Sequence, residues 1–169
     1  MVTNVGFGDN SIIVSATDNG IGSVLAEVYD LTPASTFNST TPRLVNIAVL
    51  KQLNSGFTLG FVVAGTTTET VLIRAVGPGL SAAGITSGTV ANPALALFSG
   101  TTQIDSNAGW GGTAVLTAAM SAAGAFAIPP TSKDAALLET LQPGAYTVQI
   151  SGAPGNSGLV IAEVYEVPQ

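Results

Sequence analysis

The side chains able to do chemistry in this chain are few. Ten carboxylates and four cations are spread over 169 residues, with no histidine and no cysteine. The commonest general base and the strongest nucleophile are therefore absent. A serine–lysine pair would need Lys51 or Lys133 beside a serine. Ser132 and Lys133 are sequence neighbours, which sends them to opposite sides of a strand. Paired carboxylates hydrolyse glycosides. The acids here are Asp9, Asp18, Glu27, Asp30, Glu69, Asp105, Asp134, Glu139, Glu163 and Glu166. Most fall at strand ends or turns, and no spacing pairs them. The chain reads as a non-enzyme with no cofactor.

Three loops carry other possibilities. Gly77-Pro78-Gly79 follows a strand-like run, as a phosphate loop would. Pro78 removes one N–H donor and no lysine follows, so a tight turn is the better reading. Asp105-Ser106-Asn107-Ala108-Gly109 alternates oxygen-bearing side chains, as a calcium loop does. It lacks the third oxygen at Gly109 and the acid near Leu116. An Asx-turn is preferred, with Asp105 and Asn107 left as a minor calcium candidate. Trp110, the one tryptophan, sits among Gly109, Gly111 and Gly112. It is either a platform for stacking a sugar or a lid folded onto a sheet, and the lid is favoured.

Arg74 shares a strand face with Leu72 and Val76, and Glu163 shares one with Ile161 and Tyr165. A charge in such a strand must find a partner or reach water. An ion pair of Arg74 with Glu163 or with Glu27 is expected, with a role in strand registry.

These residues ride on strands. β-Branched and aromatic runs bounded by Gly, Pro, Asn and Ser predict strands over 43–51, 57–64, 70–76, 94–99, 101–105, 134–140, 146–151 and 159–167. The runs 70–76 and 159–162 are apolar on both faces and should be central and covered on both sides. Thr113 can cap a helix over 114–123 that Gly124 ends. The fold expected is mainly β: an antiparallel two-sheet sandwich, jelly-roll or immunoglobulin-like, with one short helix.

Charged residues make up only 8% of the chain, against ~25% in ordinary domains. Four cations in a net charge of −6 cannot track phosphates, so nucleic acid is not an expected partner. The apolar runs are strand-sized, too short for a membrane helix of ~20 residues. Met1-Val2-Thr3-Asn4 shows neither part of a signal peptide.

One peptide occurs twice. The run 22–33, GSVLAEVYDLTP, returns at 158–168 as GLVIAEVYEVP, with Ala26 and Ala162 136 residues apart. Before each copy lies an apolar run and a turn. At the first, Asp18-Asn19-Gly20 is a hairpin signal, so a whole hairpin is read as duplicated. The domains expected are a hairpin extension at 1–33, an extended Ser/Thr/Pro linker at 34–42 and the sandwich module at 43–169. Asn38-Ser39-Thr40 in the linker also forms a glycosylation sequon, read as chance.

Together the strings Arg43-Leu44-Val45-Asn46-Ile47, Gly60-Phe61-Val62-Val63, Val71-Leu72-Ile73-Arg74-Ala75-Val76-Gly77-Pro78-Gly79-Leu80, Asn107-Ala108-Gly109-Trp110-Gly111-Gly112, Lys133-Asp134-Ala135-Ala136-Leu137-Leu138 and Pro143-Gly144-Ala145-Tyr146-Thr147 carry a likeness. Over 43–168 the chain resembles repeat modules in large secreted proteins of Verrucomicrobia and related bacteria. The resemblance implies a β-rich module in a secreted, cell-surface setting, and it brings no catalytic residues. The function expected is an extracellular structural module that joins further copies of itself by strand or hairpin addition, into filaments or arrays. Ile12, Val14, Val24, Ala26, Val28 and Tyr29 would form the joining surface. The alternative is a carbohydrate-binding or adhesin module, with polysaccharide stacked on Trp110.

Overall fold

Alternating and continuous apolar runs between 46 and 166 pair into two antiparallel four-stranded sheets. The structure is a computed structural model that describes residues 2–18, 20–33, 35–38 and 40–168. The chain divides into two compact units, 1–44 and 45–169. In the second, the strands are β1 (Asn46–Leu53), β2 (Phe57–Val63), β3 (Glu69–Val76), β4 (Pro93–Ser99), β5 (Thr102–Asn107), β6 (Ala135–Leu141), β7 (Gly144–Gly152) and β8 (Gly158–Glu166). One sheet has the order β1-β8-β3-β6 and the other β2-β7-β4-β5. The expected sandwich is observed.

Two apolar layers hold it. Between the sheets lie Leu59, Val71, Ile73, Leu95, Leu97, Leu137, Val148, Ile150, Val160, Ala162 and Val164. The outer face of the β1-β8-β3-β6 sheet carries a second layer, in which Leu72, Val76, Ala136, Ile161 and Tyr165 pack under Leu80, Trp110, Met120 and Ile128. This second layer is why β3 is apolar on both faces: from Val71 to Val76 each residue is buried. The cover comes from a short 3-10 helix at Pro78–Ala83 and from α1 (Ala114–Ala122). Thr113 caps α1, its hydroxyl accepting from the Leu116 N–H at 3.3 Å. Gly124, at φ 69°, lets the chain turn left-handed where the helix stops.

Two expectations are corrected. First, the C-terminal copy of the repeated peptide is not half of a hairpin. β7 pairs with β2 and β4, while β8 pairs with β1 and β3 in the opposite sheet. The turn between them crosses the sandwich, so the pair is an arch. β1 and β2 form a second arch, and the two arches pair strand for strand. Leu53 faces Gly158 in one sheet, and Phe57 faces Ile150 in the other.

Second, the described residues of 1–44 form no strand. Each described residue from 2 to 40 is exposed, including Ile12, Val14, Val24, Ala26, Val28 and Tyr29. The tip of the proposed turn, Asn19, lies outside the described residues. A lone two-stranded ribbon has no sheet face to bury and is at best marginal in water. The linker is not extended either. Thr36 donates to Pro33 O at 2.9 Å and Thr41 to Asn38 O at 3.0 Å, closing two turns. Asn38 Oδ1 accepts from the Thr40 N–H, the side-chain-on-backbone bond that makes Asn a turn former. Ser39 of the sequon lies outside the described residues.

Candidate functional site

The polar groups of the second unit gather under the outer layer of the β1-β8-β3-β6 sheet. Arg74 on β3 and Glu163 on β8 stand directly opposite in register, so their side chains leave the sheet on one face. The Arg74 guanidinium donates to Glu163 Oε2 from Nε at 3.0 Å and from Nη2 at 2.6 Å. Its Nη1 donates to Phe126 O at 2.6 Å. The guanidinium carbon lies 4.3 Å from the Phe126 ring centre and 5.4 Å from that of Tyr165, within cation–π range. Tyr165 OH donates to Glu163 Oε1 at 2.7 Å. Arg74 is fully buried and Glu163 nearly so.

Burial and the Glu163 carboxylate together push the Tyr165 phenol up to about 12 from its ordinary 10.0. A raised folded value means that this contribution to stability is complete below the ordinary phenol range. It is lost as pH rises through about 12. A tyrosinate absorbance titration should therefore show one phenol ionising last, and Tyr165→Phe should abolish that step.

Asp134, just before β6, makes a second buried cluster. Its Oδ1 accepts from the Gly77 N–H at 2.7 Å and its Oδ2 from the Gly79 N–H at 2.9 Å. The Ser132 hydroxyl also donates to Oδ2. The glycines are required by close approach. A Cβ on Gly77 would meet Val90 O at 2.1 Å, and one on Gly79 would meet Asp134 Oδ2 at 2.6 Å. The N–H groups that a phosphate would need are thus taken by a carboxylate from the same chain. Ser132, in turn, faces Asp134 and not Lys133.

Trp110 is 3% exposed, and its Nε1 donates to Pro129 O at 3.2 Å. It is a lid on the outer layer, and the sugar-stacking reading of Trp110 is corrected, because no ring face is open. Asn107 is no cation ligand either. Its Oδ1 accepts from the Gly109 and Ala136 N–H groups at 3.0 and 3.1 Å. Asp105 on β5 is the neighbour of Glu139 on β6, and burial, with the Asp105 carboxyl beside it, raises the Glu139 carboxyl. Among the described residues no three His, Cys, Asp or Glu side chains group as metal ligands.

Glu27, the counterpart of Glu163, lies in the first unit and accepts from Tyr29 OH at 3.0 Å. The copy thus repeats the Tyr165–Glu163 contact. In the same unit an open hollow of about 460 Å³ is lined by Phe37, Asn38, Thr41 and Arg43.

Sequence reasoning missed the roles of Asp134, Phe126 and Glu139. The glycine pair at 77 and 79 signalled a close backbone approach, but the carboxylate that fills it is 57 residues away from Gly77.

No protein-family model and no curated protein matches the chain. Among solved structures, it is similar to the pre-peptidase C-terminal domain of collagenase from Bacillus anthracis. There the identity is 11% and the TM-score 0.44, over 71% of this chain and 89% of that one. It is also similar to a family 35 carbohydrate-binding module from Clostridium thermocellum, at 15% identity and a TM-score of 0.34, over 70% of this chain and 90% of that one.

Proposed function

We propose that this chain is an extracellular structural module that joins further copies of itself through a duplicated arch. One observation carries the reading. Residues 11–30 repeat the β7–β8 arch at the 136-residue offset on every face that matters. Ile12 and Val14 match Val148 and Ile150, and Val24, Ala26 and Val28 match Val160, Ala162 and Val164, which line the inter-sheet core. Leu25, Glu27 and Tyr29 match Ile161, Glu163 and Tyr165 of the outer face. A segment patterned as two central sandwich strands is exposed throughout its described length. Such a segment gains most by adding to a sheet, where main-chain bonds give affinity and side-chain alternation sets register. A head-to-tail contact of this kind does not close and grows into fibres. The few charges and the Ser, Thr and Gly content suit the secreted repeat modules that the sequence resembles. Sedimentation and electron microscopy of the full chain should show concentration-dependent oligomers or fibres that disappear when 1–33 are deleted. A monodisperse species at every concentration would sink the reading.

A second reading, glycan binding, rests on the hollow at Phe37, Asn38, Thr41 and Arg43, where a half-exposed ring meets polar groups. Retardation of the chain in polysaccharide gels, lost in Phe37→Ala, would favour it.

A further inference from the structure

The two open ends of the sandwich are built differently. At the β5/β6 end the two edge strands are neighbours, and Asp105, opposite Leu97, and Glu139, opposite Val71, both lie on the faces that look into the gap between the sheets. Glu139 alternates with Ala135, Leu137 and Leu141 of the inter-sheet core, so its carboxylate points inward. Inward charges on edge strands are a recognised defence against added strands. At the β1/β2 end the inward rim is apolar: Ile47 and Val49 on β1, Phe57 and Phe61 on β2, each only partly buried. On the outward faces Leu50 and Val62 are exposed as well. The single charge on that rim is Lys51, whose ammonium lies 5.5 Å from the Phe57 ring centre, at the turn end of the arch.

Resting on the assembly reading above, we propose that the outer edge of the β1–β2 arch is the acceptor, and that its occupant is the 11–30 arch of a second copy. The inner edge of the same arch already shows the fit. β8 runs antiparallel along β1 while β7 runs antiparallel along β2, from turn end to turn end. The 11–30 segment repeats both of those strands. Laid on the outer edge in the same direction, 22–30 extends the sheet of β1 and 11–16 extends the sheet of β2. In the register that β8 and β7 use, Val28 and Ala26 then cover Ile47 and Val49, Val24 lies beside Lys51, and Val14 and Ile12 cover Phe57 and Leu59. The turn of the arm brings Asp18 to the end where Lys51 stands, and residues 1–42 contain no cation to oppose it. Both sheets are lengthened at once, so the contact reads a two-strand shape and not a lone sheet edge.

The test uses two full-length variants. Val49→Lys puts a charge on the inward rim of the acceptor and leaves the arm intact. Val24→Lys with Val28→Lys disables the arm and leaves the rim intact. Each alone should sediment as a monomer, with its association constant down about tenfold or more. Mixed in equal amounts they should form a heterodimer that grows no further. Leu50→Lys, on an exposed outward position of β1, should also weaken association, and its circular dichroism keeps the result readable if Val49→Lys does not fold. Wild-type chains that associate while both rim variants associate equally well would overturn this acceptor and leave the assembly reading standing. Wild-type chains that stay monomeric would overturn both.

Discussion

Arg74→Met should lower the free energy of unfolding by about 3–5 kcal/mol, the usual cost of removing one partner from a buried ion pair. The reason is the Glu163 carboxylate, which would remain 3% exposed with no cation beside it. Three guanidinium hydrogen bonds and two ring contacts go with the charge. Arg74→Met combined with Glu163→Leu should recover most of the loss, because an apolar pair of similar volume suits the Leu72, Val76 and Ile161 surroundings. Urea denaturation of the two variants and the parent measures both effects. An Arg74→Met protein as stable as the parent would show that the pair contributes nothing to holding β3 against β8.

Asp134→Ala is the second large effect, at about 2–5 kcal/mol. It strands the buried N–H groups of Gly77 and Gly79, each worth about 1–3 kcal/mol when left unpaired. The Ser132 hydroxyl loses its acceptor too. The 3-10 helix that starts at Pro78 should loosen, since the carboxylate holds the Gly77 and Gly79 N–H groups at its first turn. Hydrogen exchange at Gly77 and Gly79 should rise with the loss of thermal stability. Protected amides at those two positions in Asp134→Ala would contradict the assignment. Gly79→Ala should fail by the opposite route, crowding Asp134 and Ile128.

Much of the fold was legible from residues alone. Alternation along 57–63 and 144–152 gave strands with one buried face, and the unbroken apolar run in β3 gave a central strand. Thr113 and Gly124 marked the helix ends by chemistry that acts within one turn. The outer layer was less visible. Trp110, Met120 and Ile128 meet Leu72 and Val76 only after folding, and the carboxylate in the glycine turn comes from far along the chain. The calcium and sugar-stacking candidates fell for the same reason. Asn107 and Trp110 have local spacings suited to ligands, but distant backbone groups use their polar atoms first.

The duplicated peptide shows where the division lies. Period-two alternation, the turn residues and the offset of 136 residues are properties of the chain itself. They determined that the pattern of β7 and β8 is written twice in the sequence, and that the β8 pattern carries apolar side chains on both faces. Whether two successive strands share a sheet is not a local property. The same turn residues can reverse a chain within one sheet or carry it across to the other. That choice is made by the partners β1, β2, β3 and β4, which claim β7 and β8 from opposite sides of the core. Main-chain pairing over long sequence separations decided that the closing unit is an arch.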